Sequence, residues 1–165
     1  MLMYCDLFSK DEWENLEMSI IWMFQAIAGA DKKIDVHELD ALTFVQANAH
    51  KLESELLKEI LSSAKYNAEY ITSFNNFEQR EIKSGLRAMA ELLAKKLNPH
   101  DSLIFKKSLL TIGMYIAFAS GDVLSSKMSN EESQTIVELA LHMKVSISQY
   151  REEPTVQQLL MKFVK

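Results

Sequence analysis

Cysteine occurs once, proline twice and glycine four times among 165 residues. With Cys5 alone, an internal disulfide is excluded, which fits a reducing compartment. So few helix breakers leave most of the chain free to be helical. No window alternates apolar and polar residues for long enough to make a half-buried strand. The apolar run from Ile20 to Ala30 is about half the length that crosses a bilayer, so no direct membrane span is expected. The start, Met1-Leu2-Met3-Tyr4-Cys5-Asp6, has neither the basic region nor the long apolar stretch of a signal peptide. Also missing are a P-loop, a dinucleotide fingerprint, a nucleophile elbow and an HExxH zinc motif. No motif therefore identifies a small-molecule substrate. A net charge of −5 makes nucleic acid a poor partner, because phosphate binding needs a basic surface. These absences together predict a soluble, cytoplasmic protein.

What is present is the material of a helical core. The chain is 48% hydrophobic, long enough for one domain, and rich in alanine, leucine, lysine and glutamate, all good helix formers. Ser9 and Glu12 form a capping box, a serine followed three residues on by an acid. Behind them Trp13, Leu16, Ile20, Met23, Phe24 and Ile27 follow helical spacing and stop near Gly29. Asp35 and Glu38 form a second box. The stripe Leu39, Leu42, Val45, Ala49, Leu52, Leu56 and Ile60 follows, with a break expected between Asn48 and Lys51. Tyr66-Asn67 reads as a turn, and 68–74 as a short helix. Asn75-Asn76 is a cap candidate for the stripe Ile82, Leu86, Met89, Leu93 and Leu97. Asn98 caps and Pro99 opens the next helix, which carries Phe105, Leu109, Ile112, Ile116 and Ala119. Ser129 and Glu132 give a third box ahead of Ile136, Leu139, Ala140 and Met143. Pro154 opens a last helix with Val156, Leu159, Leu160 and Phe163. The sum is an all-α fold, one domain over 1–165, of seven or eight helices in antiparallel pairs.

One acidic run stands out within this pattern. Ala28-Gly29-Ala30-Asp31-Lys32-Lys33-Ile34-Asp35-Val36-His37-Glu38 has a weaker copy later, Ala119-Ser120-Gly121-Asp122 followed by Met128-Ser129-Asn130-Glu131-Glu132. In each, an apolar helix ends in small residues and delivers an Asp; an apolar residue, a capping residue and a Glu follow. The repetition predicts two related halves, about 9–75 and 98–165, each a helix, an acidic loop and a helix.

The pattern A-x-A-D-x-x-I-D-x-x-E, carried by Ala28, Ala30, Asp31, Ile34, Asp35 and Glu38 and echoed by Ala119, Asp122, Met128, Ser129 and Glu132, resembles the TerB family of tellurite-resistance proteins. The resemblance implies an all-helical fold with an internal pseudo-two-fold repeat. It also implies an acidic cluster, proposed to bind metal, where the two loops meet, and a role in tellurite and stress responses within membrane-associated complexes. A cytoplasmic protein reaching the inner membrane face through partners fits that setting. This chain departs from the family where Lys32 replaces a Gly, where Ser129 replaces an Asp, and where residues 123–127 lengthen the second loop.

Asp31, Asp35, Glu38, Asp122 and Glu132 (or its neighbour Glu131) are therefore the candidate metal ligands. Converging carboxylates are the usual ligands of calcium or magnesium, and zinc also accepts carboxylate oxygen. The plainer account of Asp35 and Glu38 is helix capping. The ligand count argues against an EF-hand: Ile27 and Gly29 fall where its first acids belong, and Lys32 where its Gly belongs. His37 with Asp40 lacks the further ligands of a zinc site. His50, His100 and His142 read as surface or capping residues, and Cys5 as part of a mobile terminus. Most of the nine methionines fall on core-facing helical positions and read as packing, and Trp22 reads as a partner contact. Three functions follow in order: a non-enzymatic protein that binds a divalent cation or a partner through the acidic loops; a helical interaction module or homodimer; an enzyme with a catalytic metal. The last ranks lowest because no general base, nucleophile or phosphate-binding element accompanies the acids.

Overall fold

The computed structural model describes residues 3–28, 36–63, 66, 68–73, 77–120, 130–146 and 156–164. Among them lie eight α-helices and no strand: α1 (Lys10–Ala28), α2 (Val36–Ala47), α3 (Glu55–Ser63), α4 (Ala68–Thr72), α5 (Gln79–Lys96), α6 (Pro99–Ser120), α7 (Asn130–His142) and α8 (Val156–Val164). Short 3-10 turns cover Tyr4–Leu7 and Ala49–Lys51. The all-α expectation holds. Among the described residues no helix is long and apolar enough to cross a membrane.

Capping chemistry sets the helix starts as the sequence demands. At α1 the Ser9 N–H donates to Glu12 Oε1 at 2.7 Å, and the Glu12 N–H donates to Ser9 Oγ at 3.1 Å. Each group satisfies an amide the helix cannot. At α6 the Asp101 N–H donates to Asn98 Oδ1 at 2.8 Å, with Pro99 in the first position, where its missing N–H costs nothing. Ser54 caps α3 through the Leu57 N–H at 3.1 Å. The expected break after α2 is real: α2 ends at Ala47, and Asn48 Nδ2 donates to the Phe44 carbonyl at 3.0 Å. The cap expected at Asn75-Asn76 is corrected: α5 starts at Gln79 with Glu78 as its N-cap, whose N–H donates to Glu81 Oε2 at 3.2 Å. Caps at Ser129 and Pro154 lie outside the described residues.

Three long helices fix the frame. Lys96 Nζ stands 3.7 Å from Glu12 Oε1, and Trp22 covers Gly85, so α1 and α5 are antiparallel. The two-residue turn Leu97-Asn98 reverses the chain into α6. Helices α1 and α6 therefore run side by side in the same direction, with Met23 packed on Gly113. Helix α6 also touches α2, α3, α5, α7 and α8, making it the axle of the molecule. Its sequence explains why. Leu109, Leu110, Ile112, Met114, Ile116 and Ala117 are all buried, leaving the middle of the helix almost no solvent-facing side.

Packing adds to one expectation and corrects another. Tyr66 lies in the connection between α3 and α4, as a turn residue would, and is fully buried; its hydroxyl donates to the Glu17 carbonyl at 2.9 Å, and its N–H donates to Gln46 Oε1 at 3.1 Å. Cys5 does not sit on a loose terminus. The Tyr4 and Cys5 N–H groups both donate to the Glu59 carboxylate, at 2.8 and 3.2 Å.

Candidate functional site

Both acidic runs are fed by parallel helices. The first follows α1 and the second follows α6, and these helices finish at the same end of the bundle. Asp31, Asp35 and Asp122 themselves lie outside the described residues. Glu132 lies in the first turn of α7, with its side chain outside the described set. Glu38 is described in full.

Glu38 is the third residue of α2 and 0% exposed. A carboxylate there faces the positive end of the helix dipole and free backbone N–H groups. Capping alone does not require such burial. Glu12 and Glu81, which close capping contacts at α1 and α5, stay at the surface. Removing a carboxylate from water is costly unless charge or hydrogen bonds answer it. Glu38 is not without a partner. Its neighbours on α2, His37 and Asp40, point to solvent, as a solvated helix face requires.

A second buried charge was not signalled by the sequence pattern. Lys107, in the middle of α6, is 1% exposed and is likewise partnered. Helix α2, which carries Glu38, packs on α6 and stacks Phe44 on Tyr115 with ring centroids 5.1 Å apart. Each of these two packed helices thus carries one fully buried charged residue. Beside Lys107, Thr111 Oγ1 donates to its carbonyl at 2.9 Å. The Ser108 hydroxyl is buried with no hydrogen-bond partner among the described residues. The signal in the sequence was faint: Lys106-Lys107-Ser108 lies between the apolar positions 105 and 109, and helical spacing turns 107 inward with 111 and 114.

A small acid-lined cavity of about 120 Å³ opens at the other end of α6, walled by Tyr4, Glu53, Glu55, His100 and Asp101. Burial, and then the charges of Asp101, Glu55 and Glu59, push the Tyr4 phenol up, which keeps it protonated. Among the described residues no three His, Cys, Asp or Glu side chains stand in metal-holding geometry.

Trp22 has one face in the fold. Its indole packs against α5 at Gly85 and stays half-buried. Trp13 packs on Phe8 and donates its Nε1–H to Ser63 Oγ at 3.3 Å.

No protein-family model, no curated protein and no solved structure matches this chain.

Proposed function

We propose that this chain is a non-enzymatic, TerB-like helical protein whose acidic corner takes up a divalent cation or docks a protein partner. The observation that supports it is the complete burial of Glu38, which closes the run Asp31–Glu38. The parallel course of α1 and α6 adds support, since each leads into one copy of the acidic run. A pseudo-two-fold relation of the two halves, with Asp31, Asp35, Glu38, Asp122 and Glu132 around one corner, follows from that reading. Calcium and magnesium suit an all-oxygen set; zinc is the third candidate. A stress or tellurite-resistance role, in the cytoplasm and beside the membrane through partners, belongs to the same proposal. No nucleophile or phosphate cradle accompanies the acids, so the role is binding rather than turnover.

A second reading, a helical interaction module or homodimer, rests on α7. There Val137 and Leu141, one turn apart, are 50% and 55% exposed.

Calorimetric titration of the full chain with calcium, magnesium and zinc chlorides tests the first reading. A cation held by the native state alone raises the melting temperature along with the heat of binding. Asp31→Asn and Asp122→Asn must then abolish both while leaving the metal-free melting temperature unchanged. No heat from any of the three cations removes metal binding. Sedimentation showing a dimer that Leu141→Asp dissociates would favour the second reading.

A further inference from the structure

Far from the acidic corner, where α5 turns into α6, lies a cavity of about 230 Å³. Its walls are Leu97, Pro99 and Leu103 on the apolar side, with the buried Ser102, and Lys106 and Lys144 on the other. We infer that this cavity is a binding site for a small organic anion, one carboxylate on a short apolar stem, with Lys106 as its counter-charge and Lys144 at its mouth.

The charges are the first argument. Lys106 is half-buried, and among the described residues it makes no ion pair and no hydrogen bond. An ammonium drawn out of water without an anion is unfavourable. Burial, and then the neighbouring Lys144 ammonium, hold Lys106 below the usual lysine range. An anion between the two lysines reverses both effects. Lys144 meets Glu91 at 3.3 Å, but both side chains are largely exposed, with relative areas of 59% and 60%. A contact of that kind yields readily to a competing anion. The cavity also opens against the first turns of α6, whose dipole is positive there.

The backbone is the second argument. Helix α7 ends in a Schellman motif: the Val145 N–H donates to the Ala140 carbonyl at 2.9 Å and the Lys144 N–H to the Leu141 carbonyl at 3.0 Å. Its left-handed residue is Lys144, with φ of 61°. Glycine is the usual occupant, because a Cβ is strained there. Among the described residues no other non-glycine has a positive φ. The strain sets a lysine, rather than glycine, at the rim of the cavity.

The space, about 230 Å³, has room for a small organic molecule rather than a single water. The wall formed by Leu97, Pro99 and Leu103 favours a hydrocarbon stem over a bare inorganic anion. Hexanoate has the right chemistry.

The test titrates the full chain with sodium hexanoate, hexan-1-ol and inorganic phosphate, following the lysine ε-methylene resonances and the melting temperature. Hexanoate should shift Lys106 saturably and raise the melting temperature, binding at least fivefold more tightly than either control. Lys106→Gln should weaken hexanoate tenfold or more. Lys144→Gly supplies a reading free of folding damage: it should raise the melting temperature of the unliganded protein and weaken hexanoate several-fold. Hexanol binding equally well would reduce the cavity to an apolar hole. Phosphate binding equally well would reduce it to an ion contact. Either result overturns the proposal, as does unchanged affinity in Lys144→Gly. None of these outcomes depends on the acidic corner, which is probed by divalent cations.

Discussion

Trp22 lies across Gly85 so closely that a Cβ placed on the glycine would stand 2.7 Å from Cη2 and 2.8 Å from Cζ2 and Cζ3 of the indole. Three ring atoms below 3.0 Å belong to a rigid plane, which cannot withdraw as the end of a flexible chain does. Gly85→Ala therefore sets two effects against each other. Alanine gains about 1 kcal/mol of helix propensity over glycine. Overpacking costs about 1–3 kcal/mol. We expect a net loss of about 1 kcal/mol in urea unfolding. Adding Trp22→Leu removes the clash, so in that background Gly85→Ala should stabilise. A change of sign between the two backgrounds checks the contact, and a stabilising Gly85→Ala in the natural background refutes it.

Tyr66 ties the connection after α3 to the first helix. Its ring is fully buried, and its hydroxyl reaches the Glu17 carbonyl at 2.9 Å. Tyr66→Phe keeps the ring and loses one hydrogen bond, for about 1 kcal/mol of stability. Burial, then the charge of Glu17 and Tyr70, push the phenol well above its ordinary value of 10.0. Above pH 10 the unfolded chain releases this proton while the folded chain keeps it. Stability must therefore fall as pH rises from 10. Unfolding free energies at pH 9 and pH 10.5 should show a smaller decline for Tyr66→Phe than for the natural protein. Equal declines would show that Tyr66 is not held neutral by the fold.

The helical frame was legible because it rests on local rules. Capping boxes and stripes act within four residues, so Ser9, Glu12, Asn98 and Pro99 announce their helices without reference to anything distant. Met23, Met89 and Met143 are buried, as helical spacing had indicated, whereas Met3 and Met161 are exposed. Long-range packing is where the reading stopped. Tyr66 reads as a turn residue, and its burial becomes visible only when α1 is placed beside it. Trp22 looks like a loose aromatic until Gly85 comes opposite. Lys107 lies in a stretch rich in polar residues and is buried only because α6 is surrounded. Of the candidate ligands, the structure describes the burial of Glu38 alone. The sequence pattern marked that residue as acid in a cap but gave no sign that it is removed from water. The cavity beside Lys106 and Lys144 was invisible for the same reason, since it brings together residues from α5, α6 and the end of α7.

The Glu59 carboxylate holds the amino-terminal turn against α3 through the N–H groups of Tyr4 and Cys5. Hydrogen bonds to a charged acceptor are stronger than neutral ones. Glu59→Ala deletes both acceptors without opening the core, so the effect should stay local. We expect the Tyr4 and Cys5 amides to exchange faster and the half-buried Cys5 thiol to react several-fold faster with a maleimide. The melting temperature should change little. Unchanged thiol reactivity would mean that the turn is held by its other contacts.

His142 and Arg87 form a proton-sensitive contact between α7 and α5. Arg87 donates its Nε–H to His142 Nδ1 at 3.1 Å, so the imidazole accepts only while neutral at that nitrogen. Lys83 with Glu138, at 4.0 Å, and Lys144 with Glu91, at 3.3 Å, flank it along the same seam. Partial burial, then Arg87 and Lys83, hold the imidazole below its ordinary value of 6.5, and Glu138 opposes them. Between that lowered value and 6.5 the unfolded chain takes up a proton that the folded chain refuses. Stability must therefore fall as pH drops through 6.5. His142→Gln keeps an acceptor for Arg87 and does not titrate. Most carboxylates stay ionised between pH 7.5 and 5.5, and their residual titration cancels when the two proteins are compared. Over that interval the variant should gain on the natural protein by about a few tenths of a kcal/mol, a figure already reduced for solvent screening. A difference of the opposite sign would mean that the imidazole is held charged by Glu138 rather than neutral by Arg87.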